Sequence, residues 1–392
     1  MPIRNSIADL AEDMKLWRRD IHKHPELAYE EHRTSDLVAE KLESWGIEVV
    51  RGLGGTGLVG LVRGQNDRDG GPMIGLRADL DALPMAELNS FEHRSVHEGK
   101  MHGCGHDGHT AMLLGAGRYL AENRNFNGQV ALIFQPAEEG GAGAKAMIDD
   151  GLFERFPVNA VYGMHNMPGI PAGHIALREG PILAGSMSFE LTVRGQGAHA
   201  AMPHLGRDTI VIASGLVGAL QSISSRRVDP LENVVMSVTQ FHAGSAVNVL
   251  PEEALLRGTV RCFSVETQQL LRQEMSSLVA GYCQAQGAEG TITFDVGYPA
   301  VFNWVEQTRF AAEVAEQALG EDAVNRSGKP LMGSEDFAYM LQEKPGCFVF
   351  IGNGSDSGPS ACSLHNPYYD FNDDIMPAGV EYWVRLVEKS LS

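Results

Sequence analysis

Hydrophobic and charged residues alternate at helical spacing near the beginning of the chain. Residues 7–23 and 32–45 both repeat apolar positions with the period of a helix, which predicts two amphipathic helices. Pro25 lies between them and ends the first helix. Short stretches rich in Val, Ile and Leu come next, and they predict β-strands: GIEVVRG, GLVGLVRG and MIGLRADLDALP.

Strands and helices alternate in the stretch that follows. TAMLLGAGRYLAENR has the apolar spacing of a helix, whereas QVALIFQP and AVYGMHN are typical of strands. This alternation predicts an α/β sheet that carries helices on both faces. In such sheets the functional groups collect at the carboxyl ends of the strands. Polar residues that directly follow a predicted strand are therefore candidates for a functional site.

A second pattern begins at about Leu183. From SMSFELTVRG to GTITFDVGY the predicted order is β-α-β-β-α-β, which is the order of a ferredoxin-like unit. This unit is complete in itself. We therefore predict a small domain over residues 183–297, inserted into a larger α/β domain that is formed by residues 1–182 and 298–392.

Composition narrows the classes of protein that fit. The chain has 392 residues, 43% of them hydrophobic, and a formal net charge of −19. The charge disfavours nucleic acid and anionic membranes as partners, because both attract basic surfaces. The apolar runs are too short for a membrane span, and the five scattered cysteines do not resemble a disulfide framework. We expect a cytoplasmic protein.

The stretch MHGCGHDGHT, residues 101–110, is the densest group of potential metal ligands in the sequence. Thiolate and imidazole suit borderline metals such as zinc, and Cys104 and His106 are spaced so that they could face the same side of an extended segment. A helix is predicted directly afterwards, so its dipole would favour a thiolate at Cys104. A glycine-rich surface turn is the alternative for any one of these histidines alone.

Four further candidate residues follow predicted apolar stretches. Glu138 and Glu139 come after QVALIFQP, and His165 and His365 each precede an Asn with a Pro nearby. Two adjacent carboxylates alone usually indicate a solvated loop, and a single histidine usually has a structural role. With Cys104 and His106, however, they offer more ligands than one four-coordinate ion needs, which favours two metal ions that share a bridging ligand.

Together these segments resemble the M20 family of metallopeptidases and deacylases, in the branch of aminoacylases, hippurate hydrolases and auxin-conjugate amidohydrolases. The motifs occur in family order across the chain: HKHPELAYEE, LRADLDALPM, MHGCGHDGHT, QPAEEGGAGAKAM, GMHNMPG, GQGAHAAMPH, NVLPEEALLRGTVR, MGSEDFAYM and LHNPYYDFND. The resemblance implies a mixed-sheet catalytic domain with two metal ions and a ferredoxin-like lid through which two subunits form a homodimer, or a higher homo-oligomer.

The resemblance also implies roles for single residues. It makes five side chains metal ligands, with the first as the bridge: Cys104, His106, Glu139, His165 and His365. Glu138 becomes the general base that takes a proton from the attacking water and returns it to the leaving amine. The metal ions would be two divalent cations, Mn, Zn, Co or Ni.

The resemblance implies roles for residues of the inserted domain as well. His199, in GQGAHAAMPH, matches a lid histidine that reaches the site of the partner subunit. Asn248 and Arg261 match lid residues that hold the carboxylate of the substrate, a task for which a planar guanidinium is suited.

One position departs from other branches of the family. Where many members carry a ligand histidine two residues before an aspartate, this chain has Arg77, Ala78 and Asp79. The resemblance therefore implies that His106 replaces the missing ligand, and it leaves the role of Asp79 open.

We predict a metal-dependent hydrolase that cleaves N-acyl amino acids to a free amino acid and a carboxylic acid. The first alternative is a dipeptidase or carboxypeptidase that uses the same two-metal site. The second is a non-catalytic binding protein that has kept the fold, although the intact Glu138–Glu139 pair speaks against it. A serine hydrolase is disfavoured because the sequence contains no G-x-S-x-G.

Overall fold

The computed structural model describes residues 3–65, 67, 71–355 and 361–392. The chain divides into two compact units. The first comprises Met1–Ile182, Phe302–Lys329 and Asp336–Ser392, and the second comprises Leu183–Val301 and Pro330–Glu335.

The second unit is larger than the 183–297 predicted from the sequence. Its segment 330–335 joins because the backbone N–H of Ala184 donates to the carbonyl oxygens of Leu331 and Gly333, at 3.0 and 2.9 Å. Backbone hydrogen bonds between distant residues leave no local sequence pattern. The sequence therefore could not predict that residues 330–335 belong to the second unit.

Strands occupy both units. Within the described residues they are, in chain order, β1 Glu48–Leu53, β2 Gly57–Arg63, β3 Met73–Asp79, β4 Gln129–Gln135, β5 Ala160–Pro168, β6 Ile175–Ala176, β7 Gly180–Leu183, β8 Gly185–Arg194, β9 Ala198–His199, β10 Val235–Ala243, β11 Val249–Leu250, β12 Glu253–Cys262, β13 Glu289–Val296, β14 Val301–Asn303, β15 Val324–Asn325 and β16 Gly346–Gly354.

The helices follow the amphipathic and apolar stretches of the sequence. Within the described residues they are α1 Asn5–Ala8, α2 Ala11–Lys23, α3 His32–Ser44, α4 His106–Glu122, α5 Gly143–Asp149, α6 Leu152–Arg155, α7 Thr209–Arg226, α8 Val265–Ala285, α9 Val305–Leu319, α10 Phe337–Glu343 and α11 Met376–Ser390. No helix in these described ranges is both long enough and apolar enough to cross a membrane.

The first unit is built on one mixed sheet of eight strands in the order β1-β2-β4-β3-β5-β16-β6-β15. Strands β4, β3, β5 and β16 run parallel to one another, whereas β2 is antiparallel to both β1 and β4. All residues of β3 and β4 are buried, as expected for strands that have helices on both faces. The α/β class predicted from the sequence is confirmed.

Helix α4 lies in the core of the first unit and is buried along most of its length. It starts after Gly105, whose φ of +93° lies in the left-handed region. A Cβ at this position would come within 2.3 Å of Oδ1 of Asn166, so only glycine fits. The turn before α4 is therefore fixed directly beside β5.

The second unit contains a four-stranded antiparallel sheet in the order β10-β12-β8-β13. Helices α7 and α8 pack against the buried face, and Leu191, Leu256 and Val279 belong to their common core. Buried and exposed residues alternate along β8, which is the pattern of a sheet with one solvated face. The predicted βαββαβ order is present, with an additional short ladder of β9 and β11 that the sequence did not predict.

Candidate metal centre

Three adjacent parallel strands position two of the five predicted ligands, together with Glu138 and Asp79. Asp79 ends β3, Glu138 and Glu139 follow β4, and His165 lies on β5. Parallel strands end at the same edge of the sheet, so these side chains are brought together there. The sequence placed His165 just past a strand end, but β5 continues to Pro168, and the histidine lies within the strand.

The remaining candidates come from two loops. Cys104 and His106 stand at the beginning of α4, and the backbone N–H of His365 donates to the carbonyl oxygen of Gly103 at 2.8 Å. This hydrogen bond ties the His365 loop to the 101–110 stretch. His365 has a φ of +62°, a strained conformation that directs an exposed loop residue towards the buried centre.

The five predicted metal ligands come together in two groups that share Cys104. In each group the ligand atoms lie within 4.8 Å of one another: one contains Cys104, His106 and His165, and the other contains Cys104, Glu139 and His365. Sγ of Cys104 lies 3.4 Å from Nε2 of His165, and Nε2 of His365 lies 3.3 Å from Oε1 of Glu139. The geometry is that of two neighbouring cation positions with one common donor.

Two atoms at this centre are buried and point inwards without a hydrogen bond. Nδ1 of His106 lies 2.8 Å from the backbone oxygen of Asp81, to which it can donate. This leaves Nε2 of His106 as a lone-pair donor, and within the described residues neither Nε2 nor Oε1 of Glu139 has a hydrogen-bond partner. Buried polar atoms normally have partners, so these two fit a bound cation.

Burial and charge affect each ligand differently. Burial raises the pKa of the Cys104 thiol well above its ordinary value, and the carboxylates of Glu139, Glu138 and Asp79 raise it further. The expected influence of the helix dipole is therefore outweighed. Burial lowers the pKa of His165 well below 6.5, and His109 adds to this effect, so this imidazole is neutral. A cation would stabilise the Cys104 thiolate and match the neutral His165.

His106 has the opposite shift. Burial alone lowers its pKa, but the carboxylates of Asp79, Asp81 and Glu139 outweigh burial and raise the pKa to about 10. The centre thus has an excess of negative charge around a histidine that it would hold protonated. A divalent cation can replace that proton, since it supplies the positive charge that these carboxylates favour.

Glu138 and Glu139 lie in a turn, not in the extended segment that we assumed from the sequence. Ala137 precedes them with a left-handed φ of +52°, and Gly140 follows with +85°. Oxygens of both carboxylates nevertheless reach the same region, because Glu138, Glu139 and His106 form a further group of ligand atoms within 4.8 Å. Both glutamates therefore reach the centre, although they are consecutive in the chain.

The structure gives Asp79 a supporting position. Its Oδ2 accepts a hydrogen bond from Nη1 of Arg77 at 2.7 Å, and its Oδ1 lies 2.6 Å from Nδ1 of His109. Burial alone would raise the pKa of Asp79, but His106, His109 and Arg77 lower it well below its ordinary value. Asp79 therefore contacts His109 and Arg77, and its ligand atom also lies within 4.8 Å of those of His106 and His109.

His109 is a residue whose part the sequence analysis missed. Its Nε2 accepts from the backbone N–H of Asn166 at 3.0 Å, so it joins Asp79 to the strand that carries His165. The signal was present: His109 follows His106 by three residues on a helix, which puts both on one face. The third histidine of the stretch, His102, is buried apart from the ligand groups found in the described chain, and burial lowers its pKa to about 4.

Three predicted site residues belong to the second unit. His199 is exposed on β9 and pairs with Val249 of β11, which directly follows Asn248. Arg261 lies on β12, half-buried, where Nη1 donates to Oγ of Ser334 at 3.0 Å and burial lowers its pKa. His199 and Asn248 are thus neighbours through the β9–β11 ladder, while Arg261 belongs to the main sheet of the unit.

A mixed α/β unit whose thiol, imidazole and carboxylate groups meet near the strand ends is typical of a metal-dependent enzyme. The model of peptidase family M20/M25/M40 matches residues 75–389, and this chain belongs to that family.

Named relatives and a solved structure agree with this assignment. The hippurate hydrolase of Campylobacter jejuni is 42% identical over 386 residues, which cover 98% of both chains. Thermostable carboxypeptidase 2 of Saccharolobus solfataricus is 36% identical over 383 residues, 96% of this chain and 95% of that one. The crystal structure of Bacillus subtilis YXEP protein, a dinuclear metal-binding peptidase from the M20 family, superposes with a TM-score of 0.84 at 32% identity, covering 98% of this chain and 99% of that chain.

Proposed function

We propose that this protein is an amidohydrolase of N-acyl amino acids that works with two divalent metal ions. The single observation that carries the proposal is the pair of ligand groups that share Cys104, with the carboxylate of Glu138 beside them. The similarity to a hippurate hydrolase over nearly the full length supports an N-acyl amino acid as the substrate class. The products are a free amino acid and a carboxylic acid.

The ligands divide into two sets in this proposal. One ion would be held by Cys104, His106 and His165, and the other by Cys104, Glu139 and His365. Ions bound there would polarise the amide carbonyl and make water more acidic. A mixed set of sulfur, nitrogen and oxygen donors suits Mn, Zn, Co or Ni, and the dinuclear centre of the YXEP protein supports the number of ions.

Glu138 acts as the general base. Its carboxylate takes a proton from the attacking water and delivers that proton to the amine nitrogen that leaves. The support for this role is its place beside Glu139, which belongs to a ligand group, and its burial, since Glu138 is only 6% exposed. Burial limits access of bulk water to the base, which favours proton transfer within the site.

The second unit supplies substrate contacts in this proposal. Arg261 and Asn248 bind the carboxylate of the amino acid product, because a guanidinium donates two parallel hydrogen bonds to a carboxylate. The pKa shift of Arg261 comes from burial and leaves a permanently charged group, which is what binding an anion requires.

A homodimer is the assembly that we propose. Exposed apolar side chains surround His199: Met202, Leu205, Val247 and Val249 are 49%, 57%, 105% and 51% exposed. A second copy would cover these side chains and bring His199 to the site of its partner. The five cysteines, all free thiols, support the expectation of a reducing, cytoplasmic location.

The alternative is a carboxypeptidase or dipeptidase with the same centre, favoured by the similarity to thermostable carboxypeptidase 2. Steady-state kinetics with N-benzoyl and N-acetyl amino acids beside matched dipeptides separates the two. Higher kcat/KM for the N-acyl amino acids supports our proposal, and higher kcat/KM for the dipeptides replaces it with the alternative. Absence of turnover on both series in the presence of Mn, Zn, Co or Ni would contradict hydrolysis.

A further inference from the structure

Three consecutive backbone N–H groups in the turn that carries the two glutamates are bound by buried carboxylates. The N–H of Ala137 donates to Oε1 of Glu31 at 2.8 Å. The N–H groups of Glu138 and Glu139 donate to Oδ1 and Oδ2 of Asp81, at 3.0 and 2.9 Å. Hydrogen bonds to charged acceptors are stronger than neutral ones, so each of these amides is firmly held.

Glu31 is itself fixed in place. It is completely buried, and its Oε2 accepts a hydrogen bond from Oγ1 of Thr56 at 2.5 Å. It lies 106 residues before Ala137 in the sequence, in the loop between α2 and α3. The sequence of this loop, HKHPELAYEE, did not indicate a function for Glu31. A carboxylate buried this completely needs partners, and the turn supplies one of them.

The same loop contacts the other end of the turn. The hydroxyl of Tyr29 donates to the carbonyl oxygen of Gly141 at 2.6 Å. The backbone N–H of Ala82, next to Asp81, donates to the carbonyl oxygen of Glu26 in this loop at 2.8 Å. The loop therefore joins Glu31 and Asp81 into one support for the turn.

The turn needs such support because its backbone is strained. Ala137 and Ala142 adopt left-handed φ values of +52° and +55°, which side chains with a Cβ disfavour. Gly143 closes the turn, since a Cβ there would come within 1.7 Å of the carbonyl oxygen of Pro136. A strained turn persists only where surrounding contacts fix it.

We propose that Glu31 is a positioning residue for hydrolysis, acting with Asp81 to hold the Ala137–Glu139 backbone so that Glu138 and Glu139 keep their separate orientations. This inference rests on the proposed roles of these two glutamates. Glu31 does not touch substrate. It acts through the turn, and its loss releases Ala137 from the strained conformation.

The test compares Glu31→Ala with Glu30→Ala in the full-length, metal-loaded protein. Glu30 is the control, because its carboxylate lies in the same loop but is exposed and pairs with Nζ of Lys100 at 2.9 Å, away from the turn. Hydrogen exchange of the amides at 137–139 should accelerate by about tenfold or more in Glu31→Ala and stay unchanged in Glu30→Ala. Unchanged exchange at 137–139 in Glu31→Ala would overturn the proposal.

Kinetics provide the second readout. Glu31→Ala should lower kcat on an N-acyl amino acid by about tenfold or more while KM changes little, and Glu31→Gln should restore most of the rate because its amide oxygen can still accept from Ala137. An equal loss of kcat in Glu30→Ala, or a normal kcat in Glu31→Ala, would contradict a positioning role.

A second variant is available if Glu31→Ala does not fold. Thr56→Val removes the hydroxyl that donates to Glu31, and it should change hydrogen exchange and kcat in the same direction by a smaller factor. Normal exchange and normal kcat in Thr56→Val would overturn the proposal. Failure of the proposed function is distinguishable, because hydrogen exchange is measured without substrate. A wild-type protein without turnover would reject the function, whereas exchange still decides whether Glu31 holds the turn.

Discussion

Sγ of Cys104 lies 3.4 Å from Nε2 of His165, although 61 residues separate them in the chain. The thiol also belongs to the group with Glu139 and His365, so it is the donor that both proposed cation positions have in common. Loss of this one side chain should therefore affect both ions.

Cys104→Ala is expected to lower the metal content from about two ions per chain to less than one, since each site loses a donor and the sites lose their bridge. Elemental analysis of the purified, dialysed protein measures this content. Cys362→Ala is the control, because Cys362 is half-exposed and lies outside the ligand groups found in the described residues. Retention of two ions in Cys104→Ala would contradict the bridge.

The two adjacent glutamates should differ in what their removal does. Glu138→Ala should reduce kcat by about 10²- to 10⁴-fold, the range typical of a general base, with the metal content unchanged. Glu139→Ala should instead reduce the metal content, because its Oε1 is a ligand atom of the second group. Steady-state kinetics and elemental analysis on both variants test this difference, and near-normal turnover of Glu138→Ala would remove Glu138 from the mechanism.

His199→Ala should lower kcat by about 10²-fold if this exposed histidine donates a hydrogen bond to the developing oxyanion. When the impaired His199→Ala and Glu138→Ala proteins are mixed and allowed to exchange subunits, activity should partly return, because one mixed site then has both groups. A different affinity tag on each variant, with purification on both tags in turn, verifies that the mixed dimer is present. Without any recovery in a verified mixed dimer, His199 does not act across subunits.

The stability of the first unit should decrease in alkaline solution because of His22. Burial and Arg18 lower its pKa, but Asp107 and Glu87 outweigh them and raise the pKa to about 9. Its protonated form therefore stabilises the folded state fully below a pH of about 6.5, and this contribution is lost as the pH rises through about 9. The contribution is on the order of 3 kcal/mol.

Urea unfolding of wild type and His22→Gln at pH 6 and pH 9.5 measures this effect. The difference in midpoint between the two proteins should be large at pH 6 and small at pH 9.5. His32→Gln is the control, since His32 is exposed on α3 and its replacement should matter little at either pH. A difference between wild type and His22→Gln that does not change with pH would show that His22 is not charged in the folded protein.

Much of the architecture could be predicted from the sequence, because periodicity is a local property. The spacing of apolar residues predicts α3 and α4 directly, and runs of Val, Ile and Leu predict β3 and β4. Short elements could not be predicted in this way. The strands β9 and β11 have two residues each, which is too short to show a period.

The candidate site was predictable only in its chemistry. Cys104, His106 and the Glu138–Glu139 pair could be named as potential ligands or bases from residue type and from their place after apolar strands. Among the histidines of residues 101–110 the sequence analysis named His106 as the ligand, but it gave no role to His109. In the structure His106 belongs to the ligand groups, while His109 joins Asp79 to Asn166.

The sequence by itself determined which elements form and which side chains are able to bind metal, because both depend on neighbouring residues and on the chemistry of single groups. The tertiary structure decided which of those groups meet. The carboxylate of Glu31 accepts a hydrogen bond from Ala137 across 106 residues. Nε2 of His365 lies 3.3 Å from Oε1 of Glu139, although the two residues are far apart in the sequence. Such contacts depend on strand order, on register and on the packing of helices, and no local pattern records them.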